Sequence, residues 1–459
     1  MNTLTGSTVR RRSRRIWWLL PVGTMAAAAG LAGTQARSAS PPPANDGLVC
    51  TTNHTGPNAS SFTLTARSGE ITTAEGNRIP MWGYAGTTGR YQYPSPFLCV
   101  TQGDTVTVIL RNELKTSTGA GVRTSIAFDG MTGVTADGDP AGPEFTAGGK
   151  LTSLTSSVAS GDSITYTFVA DKPGSYLYES GTNAVEQVQM GLFGGLVVRS
   201  NTAPAQAGDS VAYSTTGPNG SEYQTDREFA QMLSDVDPDM HHALDESRAF
   251  DITRYRPRYW FINGRMFPDT IAPNDAEWLP DQPYSGLVRM RPYDADETKA
   301  GYDHAPVLVR YFNASGVAHP YHPHAADTRM IGVDGRELRN AGGGDLSVPR
   351  FLVNIAPGQT VDALYQWKNV EQWAPVSNPI PVPLPDFRDL RYTVGATWYS
   401  GTPYLGVQDD LPIGTTGNNQ CGEYYHVAHS HALNEATTFG AAMGGMLTLY
   451  RIDPPTGCP

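Results

Sequence analysis

Alternation of apolar and polar residues, with no sustained helical period, runs through most of the chain. Phe62-Thr63-Leu64-Thr65-Ala66 and Ile164-Thr165-Tyr166-Thr167-Phe168 alternate strictly, the pattern of a strand with one buried face. Phe97 to Leu110 reads as two such runs about a Gly103-Asp104 turn. Ile79-Pro80-Met81-Trp82-Gly83-Tyr84, Gly174-Ser175-Tyr176-Leu177-Tyr178 and Gly195-Leu196-Val197-Val198 add further strands. Short strands at this spacing predict a Greek-key sandwich over 61–200. Residues 201–225 are polar, rich in Gly and Pro, and read as a linker.

A second β-rich half spans 226–459. Asn263-Gly264, set between Tyr259-Trp260-Phe261-Ile262 and Met266-Phe267, signals a hairpin; Asp334-Gly335 signals another. Met446-Leu447-Thr448-Leu449-Tyr450 is a last strand. Residues 366–420, rich in Trp, Pro and Tyr and weakly periodic, read as long loops inserted in this half. Met240 to Glu246 forms one or two helical turns, and the adjacent His241 and His242 face apart on a helix, which reads as surface.

Composition agrees with an all-β chain. Among 459 residues there are 49 Gly and 35 Pro, with only 17% charged, a turn-rich balance. The formal charge is −11. All six basic residues before Ser40 are Arg, so a chain cleaved there carries 27 basic against 44 acidic residues, near −17. Such a surface is a poor partner for DNA, RNA or anionic lipid. Arg10-Arg11-Arg12-Ser13-Arg14-Arg15 precedes Ile16-Trp17-Trp18-Leu19-Leu20 and an Ala/Gly-rich run. Residues 1–39 therefore read as a twin-arginine export signal, too short and Gly-broken for a membrane span. Residues 40–60 read as a flexible tether, and the mature chain is expected in the periplasm, the cell envelope or the medium. Its four cysteines allow three pairings in an oxidising compartment. Cys50–Cys99 with Cys421–Cys458 is favoured, since each staples within one half.

Six of the ten histidines fall in two clusters, His319-Pro320-Tyr321-His322-Pro323-His324 and His426-Val427-Ala428-His429-Ser430-His431. In a strand, residues two apart share a face. Neighbouring strands would therefore converge His322, His324, His429 and His431, and imidazole suits Cu, Zn, Fe and Ni.

At these residues the chain resembles the multicopper oxidases, built from cupredoxin domains. Gly103-Asp104-Thr105-Val106 with Asn112 is similar to the family's G-D-x-V…N stretch. Ser125-Ile126-Ala127-Phe128-Asp129-Gly130 stands in the place of S-I-H-W-H-G. Gly174-Ser175-Tyr176-Leu177-Tyr178-Glu179-Ser180-Gly181 stands in the place of G-T-x-W-Y-H-S-H. Gln189-Met190-Gly191-Leu192-Phe193-Gly194-Gly195, His319 to His324, and His429-Ser430-His431 before Gly444-Gly445-Met446 follow in family order. The resemblance implies two cupredoxin-like sandwiches and copper as the cofactor.

The departures from the family are specific. Its first-domain histidine positions are Ala127, Asp129, Glu179 and Gly181 here, and no histidine lies between His54 and His241. The cysteine of its mononuclear copper site is Ser430 and a second histidine is Glu435, leaving His319. By resemblance, a residual metal site would use His322, His324, His429 and His431 with Asp129 and Glu179, and more weakly His319 and Glu435. Copper is the family's metal; Mn, Fe or Zn suit a His/carboxylate set, and a metal-free chain stays open. The expected function is an exported multicopper-oxidase-like protein, an oxidoreductase if an enzyme, without four-copper laccase turnover. The alternative is a metal-free envelope protein that binds or scaffolds. Its substrate or envelope partner is not named by the sequence.

Overall fold

A computed structural model describes residues 46–457, except 74–75, 218, 325, 371, 375–422 and 439–443. The export signal, Cys421, Cys458 and most of 366–420 lie outside the described residues.

The fold is two β-sandwiches, all-β as the alternation predicts and doubled as the resemblance implies. In the first, one sheet orders Cys50–Thr51, Phe97–Thr101, Phe193–Arg199, Gly174–Glu179 and Ala127–Phe128. The facing sheet is built on Ala59–Thr72, Thr105–Asn112 and Ser163–Val169, with Arg78–Ala85 paired to the first of these. Their inward residues, among them Phe62, Leu64, Val106, Val108, Tyr166, Phe168, Tyr178 and Leu196, form one core. Burial alternates along Thr105–Asn112 and Ser163–Val169, which is what period two demands of a sheet with one wet face.

The second sandwich repeats the plan. Glu228–Val236 runs parallel to Val307–Asn313, as Ala59–Thr72 does to Thr105–Asn112. Val288–Met290 runs parallel to Leu447–Ile452, as Phe97–Thr101 does to Phe193–Arg199. The sheet that carries the histidines orders Val288–Met290, Leu447–Ile452, Tyr424–Ser430, His319–Pro323 and Val353–Ile355. Asn263 and Gly264 both take positive φ (53° and 76°), as do Asp334 and Gly335 (50° and 67°), the backbone of a tight turn matched to strand twist. After Asn263-Gly264 the chain enters the short 3₁₀ helix Asp269–Ile271, so only the Tyr259–Ile262 arm of that hairpin is a full strand.

Three stretches differ from the sequence reading. Within the expected tether, Cys50–Thr51 and His54–Gly56 pair with sheet strands, and Cys50 is disulfide-bonded to Cys99. The expected linker folds as a small hairpin, Asp209–Val211 on Glu222–Gln224, because Ala212, Tyr213 and Tyr223 give it an apolar side that packs on Leu308, Ile331 and Leu364. In the helix Pro238–Asp245, His242 is exposed but His241 is buried, with its Nδ1 2.8 Å from the Pro80 carbonyl.

The sandwiches meet through an apolar cluster and a buried charge network. Phe97, Leu177, Phe193 and Val197 of the first pack with Ala230, Met232, Phe261 and Phe312 of the second. Beside them the Arg310 guanidinium donates to Glu228 Oε1 at 2.7 Å, Asp362 Oδ2 at 3.2 Å and Ser175 Oγ at 3.2 Å. Ser175 in turn donates to Asp362 Oδ1 at 2.5 Å, Tyr213 to Asp362 Oδ2 at 2.6 Å, and Arg199 pairs with Glu228 Oε2 at 2.6 Å. At this seam a Cβ on Gly174 would lie 2.7 Å from the Cα of Gly335, so only glycine fits there.

Candidate metal centre

His319–Pro323 pairs antiparallel with Tyr424–Ser430, and His322 stands directly opposite His429. Burial alternates along both: His319, Tyr321 and Ser430 point inward, while His322 and His429 are partly exposed. Period two thus sorts the clusters onto two faces of one sheet. The outer face brings the four rings together. Ring centroids are 4.6 Å apart for His322–His324, 5.2 Å for His324–His429, 5.6 Å for His322–His431 and 5.8 Å for His429–His431.

Backbone carbonyls orient two of these rings. His429 Nδ1 lies 2.7 Å from the Ser430 carbonyl, and His322 Nδ1 bonds the Phe351 carbonyl. A carbonyl only accepts, so each Nδ1 carries a proton, and a neutral ring then keeps its lone pair on Nε2. This is the second-shell arrangement that fixes ligating histidines. His429 Nε2 sits 3.2 Å from His324 Nε2. Burial, then the neighbouring His322, His429 and His431, pushes His324 down to about 4. Burial also lowers His429, against the Ser430 hydrogen bond. Both are neutral imidazoles at neutral pH, the form that binds metals.

The donor set fits a metal through this pair, whose spacing suits two nitrogens about 2.0–2.1 Å from one ion. Among the described residues, no group of three or more His, Cys, Asp or Glu side chains closes on a metal position. A site here is therefore a histidine pair with His322 and His431 flanking it.

Asp129 and Glu179 make a separate group. Glu179 pairs with Ala127 in the register of the first sandwich, the position that His429 and His322 occupy in the second. Burial, then the Asp129 charge, raises Glu179; burial, then Asp334, raises Asp129. Both shifts favour the protonated carboxyl, burial being the larger cause in each case. Among the described residues no hydrogen bond or ion pair joins either carboxylate to the four imidazoles, so the expected mixed His/carboxylate contact is not made within the chain.

The inner face carries His319, Ser430 and Glu435, where the resemblance would put a mononuclear copper, and a hydrogen-bond knot fills it. His319 Nδ1 is 2.7 Å from Glu435 Oε2, and Ser430 Oγ donates to the same oxygen at 2.5 Å. His319 Nε2 meets Ser315 Oγ at 2.5 Å. Ser315 Oγ also contacts Asn313 Oδ1 at 2.5 Å, whose amide nitrogen is committed to the Val317 and Ile355 carbonyls at 2.8 Å each. Both ring nitrogens of His319 are thus engaged, one by Glu435 and one by Ser315. These residues do not fit a copper–thiolate centre, and no sulfur stands at position 430. The remaining clustered histidine, His426, is buried against Tyr424 and Trp367 with ring centroids at 4.1 and 5.9 Å. Burial, then His324, lowers it to about 4.

Residues 65–203 match the family model described as multicopper oxidase. Among solved structures, the blue copper oxidase from Nitrosomonas europaea is similar at 17% identity, with 85% of each chain covered and a TM-score of 0.50. The multicopper oxidase mgLAC is similar at 18% identity, with 86% of each chain covered and a TM-score of 0.50. At such identities the likeness is one of fold. No curated protein matches the chain by sequence.

Proposed function

We propose that this chain is an exported multicopper-oxidase-like protein that binds one transition metal at His324 and His429, with His322 and His431 beside them. The observation that carries the proposal is the approach of the two Nε2 atoms to 3.2 Å, with His429 held from behind through Nδ1. Copper is the metal the resemblance supplies; Mn, Fe and Zn also accept imidazole. A bound metal would supply redox or Lewis-acid chemistry toward a small molecule. The chain's own part is to favour neutral His324 and His429 through burial and to fix the tautomers of His322 and His429 on carbonyls. In this reading Asp129 and Glu179, both raised by burial, do not ligate the histidine-bound ion.

Four-copper laccase turnover is not part of the proposal. Its electron entry needs a cysteine thiolate, and Ser430 and Glu435 are instead hydrogen-bonded to each other at 2.5 Å. The test is metal analysis of untagged protein loaded in turn with Cu, Mn, Fe and Zn, then dialysed. Roughly one ion per chain is expected, and its loss in His324→Ala/His429→Ala. Wild-type protein that retains no stoichiometric metal ends the proposal.

A second reading, a metal-free envelope protein that binds or scaffolds, is favoured by the knotted His319–Glu435–Ser430 site. It predicts that His324→Ala/His429→Ala leaves function intact.

A further inference from the structure

Away from the histidine sheet, a cleft of about 780 Å³ lies beside the helix Pro238–Asp245. Its basic lining is Arg248, Arg254, Arg256 and Arg258, with His242 beside them. Four arginines in one short stretch stand out on a chain whose net charge is −11.

The backbone aims them. Tyr255 is extended (φ −55°, ψ 124°) and turns inward. Its hydroxyl bonds Gln189 and Asp235 Oδ1, the latter at 3.1 Å, and its side chain packs on the first sandwich's core. Arg254, the last residue of the 3₁₀ helix Ile252–Arg254, and Arg256 flank the anchored tyrosine and line the cleft. The Arg256 amide is held by Asp237 Oδ2 at 2.7 Å and the Arg258 amide by the Val236 carbonyl at 2.9 Å. Pro257 fixes φ between them. The display is a short segment pinned through its backbone.

The nearby carboxylates are already committed. Asp237 accepts the Asp239 amide at 2.9 Å as the helix cap, besides that of Arg256. Asp251 Oδ1 accepts the Thr253 amide at 3.1 Å and its hydroxyl at 2.7 Å. Asp239 pairs with Arg258 at 2.8 Å and Glu246 with Arg248 at 2.7 Å. Among the described residues neither Arg254 nor Arg256 forms an ion pair with a carboxylate, although the Arg254 charge acts on Asp251. Two guanidinium forks outside any ion pair match the oxygens of a tetrahedral oxyanion, and the cleft has the volume of a small-ligand site.

We propose that this cleft binds a phosphate-class anion, with Arg254 and Arg256 as its principal ligands and the partly exposed Arg248 and Arg258 completing it. The proposal is independent of the metal reading. Calorimetry on the full mature chain with inorganic pyrophosphate tests it, with citrate as a carboxylate comparator and Arg123→Gln as a charge control outside the cleft's lining. Saturable pyrophosphate binding is expected, weakened by about tenfold or more in Arg254→Gln/Arg256→Gln and unchanged in Arg123→Gln. Circular dichroism melts confirm that the double variant is folded. Glycerol phosphate that binds as well as pyrophosphate points to a phosphoryl group on a larger molecule; weaker binding points to the free anion, and both support the site. No saturable binding, equal loss in Arg123→Gln, or tighter binding of citrate overturns it.

Discussion

His319 Nδ1 and Glu435 Oε2 lie 2.7 Å apart in the interior of the second sandwich, where the resemblance places a metal ion. A hydrogen-bonded pair of opposite polarity takes over the work of holding two strands and a loop together. Glu435→Ala would leave a buried imidazole and the Ser430 hydroxyl without their shared acceptor. The expected loss is on the order of 3 kcal/mol in urea unfolding, with a smaller loss for Glu435→Gln, which keeps an acceptor. Equal, near-zero effects of both would show that the knot contributes nothing.

Arg310 ties the sandwiches together while fully buried. Arg310→Met leaves Asp362 a buried carboxylate with no cation and Glu228 with Arg199 alone, and is expected to cost about 3–5 kcal/mol. Adding Glu228→Gln and Asp362→Asn removes those charges and should recover much of the loss. Denaturant midpoints of the single and triple variants check this; a triple variant no more stable than the single contradicts it.

His241 makes the fold acid-sensitive. Burial holds it at about 4, below the 6.5 of a solvated imidazole. Between those values the unfolded chain binds a proton that the native chain refuses, so stability falls as pH falls. The contribution is complete above about pH 6.5 and amounts to about 3 kcal/mol. His241→Asn, which keeps a donor toward the Pro80 carbonyl, should flatten the melting temperature from pH 6.5 to 4 relative to wild type. A parallel slope in both proteins would remove His241 as the cause.

The Cys50–Cys99 bridge closes a loop with a sequence separation of 49 residues. Loop-closure entropy alone gives it about 4 kcal/mol. Cys50→Ala/Cys99→Ala should lower the guanidinium midpoint accordingly, and a reducing agent should leave the variant's transition in place if no other accessible bridge contributes.

Strands and turns were legible because their signals are local. Alternation in Thr105–Asn112 and positive-φ residue pairs such as Asn263-Gly264 need no knowledge of the rest of the chain. The facing of His322 and His429 followed from the same period, since two His-x-His strands that pair must share a face. What escaped was long-range. Nothing beside His241 in sequence announces that Pro80 will cover it, and nothing in 201–225 shows that Tyr213 will find Asp362. Asp129 and Glu179 were legible as replaced histidines, but a count of replacements does not say which way two carboxylates turn. Arg254-Tyr255-Arg256-Pro257-Arg258 carried a readable period-two signal, and only the burial of Tyr255 gives it a direction.

The Tyr213 hydroxyl, seated on Asp362 from within the segment that joins the two sandwiches, makes that segment a keystone. Severing the polypeptide there to produce either sandwich alone would pull out the wedge, bare Phe97 and Phe312 to water, and part Arg199 from Glu228. Anyone dissecting this molecule should expect its halves to be insoluble apart and should place tags, cuts or permuted ends elsewhere.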